Sequence, residues 1–343
     1  MQKPVILTGV RSNADLTLGN LLGAILPLVR LQQKYSQNYQ INAFLPDLHS
    51  IIGTNDFNDL YERTILTVRT YAAAGLDLKN TNTSIYRQSY VPAHSELAWI
   101  LDCFIYYGEL SRMTQFKEKS ENSDSVIVGI FNYPALMAAD ILLYDASYVP
   151  VGEDQRQHLE LTRDVAIRMN NQFGDIFTVP KTWAEQMQFN NAGARIRSLK
   201  HPEQKMSKSI QDPSGTILLS DNPKDAREKV LASTTDSVGS INYDYINQPG
   251  ISNLLQIISV IENKPIDDVV SKWRGESSYS KLKQEAADLV EDLLTNFQSS
   301  LAGITDQDAL SALMAHEQNI NQVANAKLKL IQTKVGLRAS LND

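Results

Sequence analysis

Two lysines three residues apart, with hydroxyls beside them, make the strongest chemical signal in the chain: Lys205-Met206-Ser207-Lys208-Ser209. A short cationic loop of this kind can close over a triphosphate and neutralise charge as diphosphate leaves. Arg195, Arg197 and Lys200 lead into it and add positive charge. The bland alternative for a Lys/Ser-rich pentapeptide is a solvated turn. A second candidate is Thr17-Leu18-Gly19-Asn20, which follows a strand-like run and opens a helix-like one. Backbone N–H groups and the positive helix end there would face an anion, and Gly19 would let a nucleotide come close to the backbone. The plainer reading is a strand–helix turn capped by Thr17 or Asn20.

A third pattern lies on one helical stripe. Tyr133, Met137, Asp140 and Tyr144 recur at steps of three and four, while Ala138 and Ala139 face elsewhere. A carboxylate on a largely apolar stripe needs a donor. A stripe of aromatic, thioether and carboxylate is unusual for plain core. The competing reading pairs Asp140 with a structural Arg or a turn. Lys117 and Lys119 are a further cationic pair, either phosphate contacts or solvated. The five histidines, His49, His94, His158, His201 and His316, lack metal-ligand spacing, so no protein-held metal is expected.

The elements that must hold these residues follow from periodicity. Val5–Thr8, Gln40–Leu45, Ser84–Gln88 and Tyr148–Val151 read as strands. Helices are expected over Leu18–Tyr35, Asn55–Ala74, Glu96–Tyr106, Pro134–Tyr144 and Glu153–Asn171, with a kink at Pro27. Strands alternating with helices imply βαβ units, hence an α/β fold with a doubly wound parallel, Rossmann-like sheet. After about residue 215 only helical signals remain, including Leu282–Phe297 and Ala309–Leu330. The expected division is a catalytic domain over 1–212 and a helical domain over 213–343. The 343 residues carry a net charge of −7, which argues against indiscriminate coating of DNA or RNA but allows local basic patches. A single cysteine, Cys103, forbids an internal disulfide, fits a reducing cytoplasm and, beside Trp99 and Phe104, reads as a buried thiol. No apolar run is long enough for a membrane span, and the first residues carry no secretory pattern.

Lys205–Ser209 matches the KMSKS signature of class I aminoacyl-tRNA synthetases, and Thr17–Asn20 stands where that class has its HIGH signature. With Gly108–Ser120, Leu136–Tyr144, Val149–Gln155, Gly193–Ile196, Thr235–Ser237 and Pro249–Leu255, the chain resembles bacterial tryptophanyl-tRNA synthetases over nearly its whole length. The resemblance implies ATP with Mg2+, L-tryptophan and tRNA(Trp) as ligands, and a homodimer. It assigns catalysis to Thr17, Asn20, Lys205 and Lys208. It assigns ATP binding to Arg11, Ser12, Asn13, Gly19, Asn20, Gly152, Glu153, Asp154, Ile196 and Lys205–Ser209, with Met206 and Ser207 inside that loop. Tryptophan would meet Asp140 through its indole N–H, Met137, Val149 and Val151 around the ring, and Tyr133 and Gln155 at its ammonium group. His49 falls where the family approaches the amino acid. The family usually has Pro-Ser-Gly where this chain has Ser12-Asn13-Ala14. The alternatives are a tyrosine-specific enzyme of the same class and a non-catalytic binding paralogue. The Gly-Glu-Asp-Gln segment, the Met-Thr-Gln-Phe-Lys run and the T-L-G-N variant favour tryptophan.

Overall fold

Short, largely apolar runs in the first half build a four-stranded parallel sheet. Its strands are β1 (Val5–Gly9), β2 (Gln40–Leu45), β3 (Thr83–Arg87) and β4 (Ala146–Tyr148), in the order β3-β2-β1-β4. Val5 lies opposite Gln40 and Ala146, and Ile41 opposite Thr83. Ile6, Ile41, Ala43, Leu45 and Ile85 enter one core layer; Val5, Leu7, Phe44 and Tyr86 enter the other. A sheet covered on both faces is what near-continuous apolar strands require. The order reverses between β1 and β4, so the loops after all four strands converge at one carboxyl edge. The computed structural model describes residues 3–9, 16–52, 57–121, 126–187, 189, 194–207 and 212–339.

The described helices are α1 (Leu18–Asn20), α2 (Leu26–Tyr35), α3 (Asp47–Ser50), α4 (Leu60–Ala73), α5 (Ala93–Asp102), α6 (Tyr107–Ser111), α7 (Thr114–Glu121) and α8 (Val128–Leu142). They continue with α9 (Arg156–Phe173), α10 (Trp183–Gln186), α11 (Pro223–Leu231), α12 (Pro249–Glu262), α13 (Ile266–Trp273), α14 (Tyr279–Ala302) and α15 (Asp306–Lys334). The expected break near Pro27 takes the form of a π-helical turn, Leu21–Ile25, in which the Leu26 N–H reaches back to the Leu21 carbonyl. Proline has no N–H to give, and the wider turn accommodates that loss.

Several expectations are corrected. Pro134 does not open its helix; α8 begins at Val128 and carries Pro134 inside it. The run Val128–Tyr133 is rich in aromatic and β-branched residues, which hides the first two turns. The fourth strand is shifted to Ala146–Tyr148, and Glu153–Gln155 forms a separate 3-10 turn before α9. The helix expected over Glu96–Tyr106 runs instead over Ala93–Asp102. Cys103 is exposed, not buried. The buried face of α5 is His94, Leu97, Ile100 and Leu101, and Trp99 and Cys103 fall off it.

Helices α11 to α15 form the second half, as expected, but the core does not stop at residue 212. One apolar cluster joins Ile6, Leu22 and Ile85 to Leu254, Val290 and Leu313. Helix α15 straps the β3 edge, giving Ala309 and Leu313 to one core layer and Ile320, Leu328 and Ile331 to the other. Among the described residues no helix is long and apolar enough to cross a membrane.

Candidate active site

The sheet's carboxyl edge gathers the polar side chains. Asp140, on the inner face of α8, is 1% exposed and accepts three hydrogen bonds. His94 Nδ1 and Gln88 Nε2 donate to Oδ1 at 2.6 and 2.7 Å, and His49 Nε2 donates to Oδ2 at 2.9 Å. Burial would raise the carboxyl, but the bonds from His49 and His94 outweigh it and hold Asp140 below the ordinary carboxylate range. The result is a buried anion. Its two oxygens offer about four lone-pair directions, three of them filled. The expected alternatives, a structural Arg or a turn, are not what Asp140 meets.

His94 Nε2 in turn accepts from the Tyr144 hydroxyl at 2.8 Å, which places both ends of the stripe in one network. Gln88 sits in the 3-10 turn Gln88–Tyr90 directly after β3, and His49 in α3 after β2. Ser89 ties these two connections together, donating its N–H to Asp47 Oδ1 at 2.8 Å and its hydroxyl to Oδ2.

The lysine-rich loop starts as one arm of a hairpin. Arg197 pairs with Lys205, and the Met206 N–H donates to the Ile196 carbonyl at 3.0 Å. Ile196 and Met206 are buried, and Lys205 is exposed. Met206 packs on Gly19, where an added Cβ would lie 3.5 Å from the Met206 Cβ. The two expected nucleotide segments therefore touch. Thr17 and Asn20 form a reciprocal cap: the Thr17 N–H and hydroxyl both donate to Asn20 Oδ1 at 2.9 Å, and the Asn20 N–H returns to Thr17 Oγ1. Leu18 N–H donates to Ile217 O at 2.8 Å, so these two N–H groups of the first turn are used inside the protein. The same cap turns the Asn20 Nδ2 group away from Thr17.

The family profile described as tRNA synthetases class I (W and Y) matches residues 1–295. The chain belongs to this family. The tryptophan–tRNA ligase of Caldanaerobacter subterraneus subsp. tengcongensis is 45% identical to the synthetase over 332 residues, covering 97% of this chain and 98% of the relative. That of Bacillus subtilis is 38% identical and covers 98% of each chain. Among solved structures, tryptophanyl-tRNA synthetase from Mycoplasma pneumoniae superposes with a TM-score of 0.82 at 32% identity, covering 99% of both chains. The Campylobacter jejuni enzyme, complexed with ADP and tryptophan, gives 0.75 at 28% identity, covering 97% of this chain and 99% of that one.

In the synthetase, Arg197 and Lys200 are anchors for the loop rather than free cations. The Arg197 backbone is bracketed by the Asn253 side chain, which accepts its N–H at 2.9 Å and donates to its carbonyl at 3.0 Å. Its guanidinium lies on Tyr245 and donates to Pro202 O. Lys200 Nζ donates to Ala232 O at 2.7 Å. Gly250 admits this docking of α12: an added Cβ would sit 2.1 Å from the Thr234 carbonyl oxygen. Downstream, Asp212 accepts from Ser198 Oγ at 2.5 Å and from the Gly215 N–H at 2.9 Å, closing the base of the loop. Nothing in spacing pointed to Asn253, Ser198 or Asp212 as loop anchors.

Tyr133 of the synthetase is held by Gln115 and His158. Gln115 Nε2 donates to Asp154 O, which turns Oε1 toward the Tyr133 hydroxyl at 2.6 Å. Tyr133 must donate there, so the 2.6 Å contact to His158 requires His158 Nε2 to carry the proton. Burial first, then His49, push His158 down to about 4, with Asp154 opposing. The unfolded chain protonates near pH 6.5 and the folded one only near 4, so stability falls as pH drops through that window, by roughly 3 kcal/mol at its lower end. Urea unfolding at pH 6.5 and 4 should show that loss in the native protein and much less of it in His158→Gln.

The remaining expected residues are placed as follows. Val149 is buried and donates its N–H to Gln186 Oε1; Met137 and Val151 are partly buried beside the same core. Gln155 donates to Asp154 Oδ2. Gly152, Glu153 and Asp154 are exposed, and the last two border an acidic cleft of about 850 Å³ with Glu118, Glu160 and Asp164. Lys117 is exposed on α7, and Ser207 is half-buried. Arg11, Ser12, Asn13, Lys208, Ser209 and the Lys119 side chain lie outside the described residues.

Proposed function

We infer that the chain is a tryptophan–tRNA ligase, activating L-tryptophan with ATP to tryptophanyl-adenylate and passing the acyl group to tRNA(Trp). The observation that carries this is Asp140: an ionised, buried carboxylate with three fixed donors and one open lone pair, on a stripe with Met137 and Tyr133. Such a group accepts the indole N–H and leaves an unpaired acceptor with apolar competitors, which is strong discrimination. A phenol could also donate to it; the full-length relatives named tryptophan–tRNA ligase favour the indole.

In this reading the tryptophan carboxylate attacks the α-phosphorus of ATP, diphosphate leaves, and the terminal ribose hydroxyl of tRNA then takes the acyl group. The chain supplies position and charge, not a nucleophile. The outward Nδ2 of Asn20, with Thr17 fixing it, would hold phosphate oxygens, and Lys205 and Lys208 would meet the departing charge. Met206, Ser207 and Ser209 would complete the loop, with Arg11, Ser12, Asn13, Lys117 and Lys119 as further contacts. Gly152, Glu153 and Asp154 offer acceptors to ribose hydroxyls, and the Ile196 backbone lies where adenine would approach. Gln155 and Tyr133 would take the ammonium group, with Val149 and Val151 beside the ring. Magnesium would arrive bound to the triphosphate. Residues 213–343 would meet the RNA, in the cytoplasm.

A homodimer fits an exposed apolar face. Trp99, Tyr107 and Val128 are 70%, 77% and 73% exposed, and Asp102–Asn132 and Tyr107–Phe131 contacts tie their elements together. Light scattering should give twice the chain mass. The function itself is tested by exchange of labelled diphosphate into ATP against all twenty amino acids. Exchange with tryptophan alone supports the reading, exchange with tyrosine overturns the pocket, and silence overturns catalysis.

A further inference from the structure

The outer edge of the sheet is closed by side chains instead of a strand. β3 pairs with β2 on one side only, so the N–H groups of Ile85 and Arg87, two residues apart, point outward together. His316 Nδ1 accepts the first at 3.1 Å and Glu317 Oε1 the second at 3.2 Å. Glu317 also takes the Arg87 guanidinium by two bonds, Nε to Oε1 at 2.7 Å and Nη2 to Oε2 at 2.8 Å. Both side chains are buried, 4% and 8% exposed, and the guanidinium lies 3.3 Å from the Tyr90 ring centre. One turn along α15, Asn321 Nδ2 donates to Tyr90 O at 2.9 Å. Helix α15 thus grips Ile85–Tyr90 from outside.

The inner side of the same segment supplies the amino-acid site. Gln88 donates to Asp140 Oδ1, and Ser89 binds Asp47, which opens the short helix carrying His49. His49 donates to Asp140 Oδ2. Two of the three donors on Asp140 are therefore set by a turn that α15 holds. We propose that Glu317 is a positioning residue for the amino-acid site, fixing through Arg87 the turn that aims Gln88 and His49 at Asp140. This rests on Asp140 as the indole acceptor. A buried ion pair is weak as a source of stability compared with packed apolar residues, whereas its fork geometry fixes a backbone closely. Its place beside the site matches the second property.

The test compares Michaelis constants in diphosphate exchange for the full-length protein, Glu317→Gln, Glu317→Ala and Asn321→Ala. Glu317→Gln keeps an acceptor for the Arg87 N–H but opposes Nη2 with a donor. The expected result is a KM for tryptophan raised by about threefold to thirtyfold, with the KM for ATP and kcat within about twofold. Asn321→Ala, which leaves the ion pair intact, should shift the same constant in the same direction, and it carries the test if Glu317→Ala does not fold. A tryptophan KM unchanged in folded Glu317→Gln and Asn321→Ala overturns the proposal. So does a parallel rise in both Michaelis constants, which marks general loosening. Asp140→Asn separates the two levels: if it too leaves the tryptophan KM alone, the indole reading itself is wrong.

Discussion

Asp140→Asn should cut kcat/KM for tryptophan in diphosphate exchange by about 2- to 30-fold, while the KM for ATP stays unchanged within error. The substitution keeps shape and removes charge. Its new amide group faces donors already aimed at it from His49, His94 and Gln88, so one of the three must turn away or lose its bond. The acceptor left for an indole N–H is then neutral and weaker, and bonds to charged groups are worth roughly 1.5–3 kcal/mol against about 1 for neutral ones. Asp140→Ala goes further, orphaning three buried donors, and should destabilise the fold by about 3–5 kcal/mol by analogy with a broken buried pair. The asparagine variant is therefore the cleaner probe. Equal loss toward tryptophan and ATP would remove Asp140 from the indole site.

The second large effect belongs to Lys205. Its neighbours hold the loop: Met206 is buried against Gly19 and bonded to Ile196, and Arg197 is bracketed by Asn253. Lys205 itself is exposed, and among the described residues no carboxylate meets it. Its charge has no structural task there, which leaves it available for a diphosphate. Lys205→Met should lower kcat for exchange by about 10²–10³-fold, the usual effect of removing one transition-state stabiliser. The tryptophan KM and the urea midpoint should stay within error of the native protein. A fall in the midpoint that tracks the lost activity would make Lys205 a structural residue.

The legible parts of the molecule are those with local periodicity or a contiguous motif. Short apolar runs bounded by loop signals place β1, β2 and most of β3, and Lys205–Ser209 and Thr17–Asn20 are read directly because their chemistry is contiguous. The partners of Asp140 were not legible. His94 and Gln88 come from the segment after β3, 46 and 52 residues away along the chain, and His49 from the connection after β2; they meet Asp140 only because the strand ends converge. His94 looked like one of several scattered histidines because, without the fold, nothing distinguishes a donor to a carboxylate from a packing residue. Cys103 misled for the opposite reason: apolar neighbours in sequence do not share a face on a helix, and Trp99 with Cys103 lies on the outer one. The boundary at residue 212 followed a change of periodicity, but the packing that joins Leu254 and Leu313 to the sheet core is long-range and leaves no local trace.

The α15 strap has a consequence for how the protein is made. A ribosome emits β3 more than two hundred residues before it emits His316 and Glu317. Through that interval the outer edge of the sheet has its N–H groups open, and such edges recruit other strands. The nascent chain is thus most exposed to mispairing while the sheet can already be assembled and the helix that protects its edge is still inside the exit tunnel. Growing cells would be expected to need a holdase for this chain mainly in that window, and the docking of α15 on β3 would end the need.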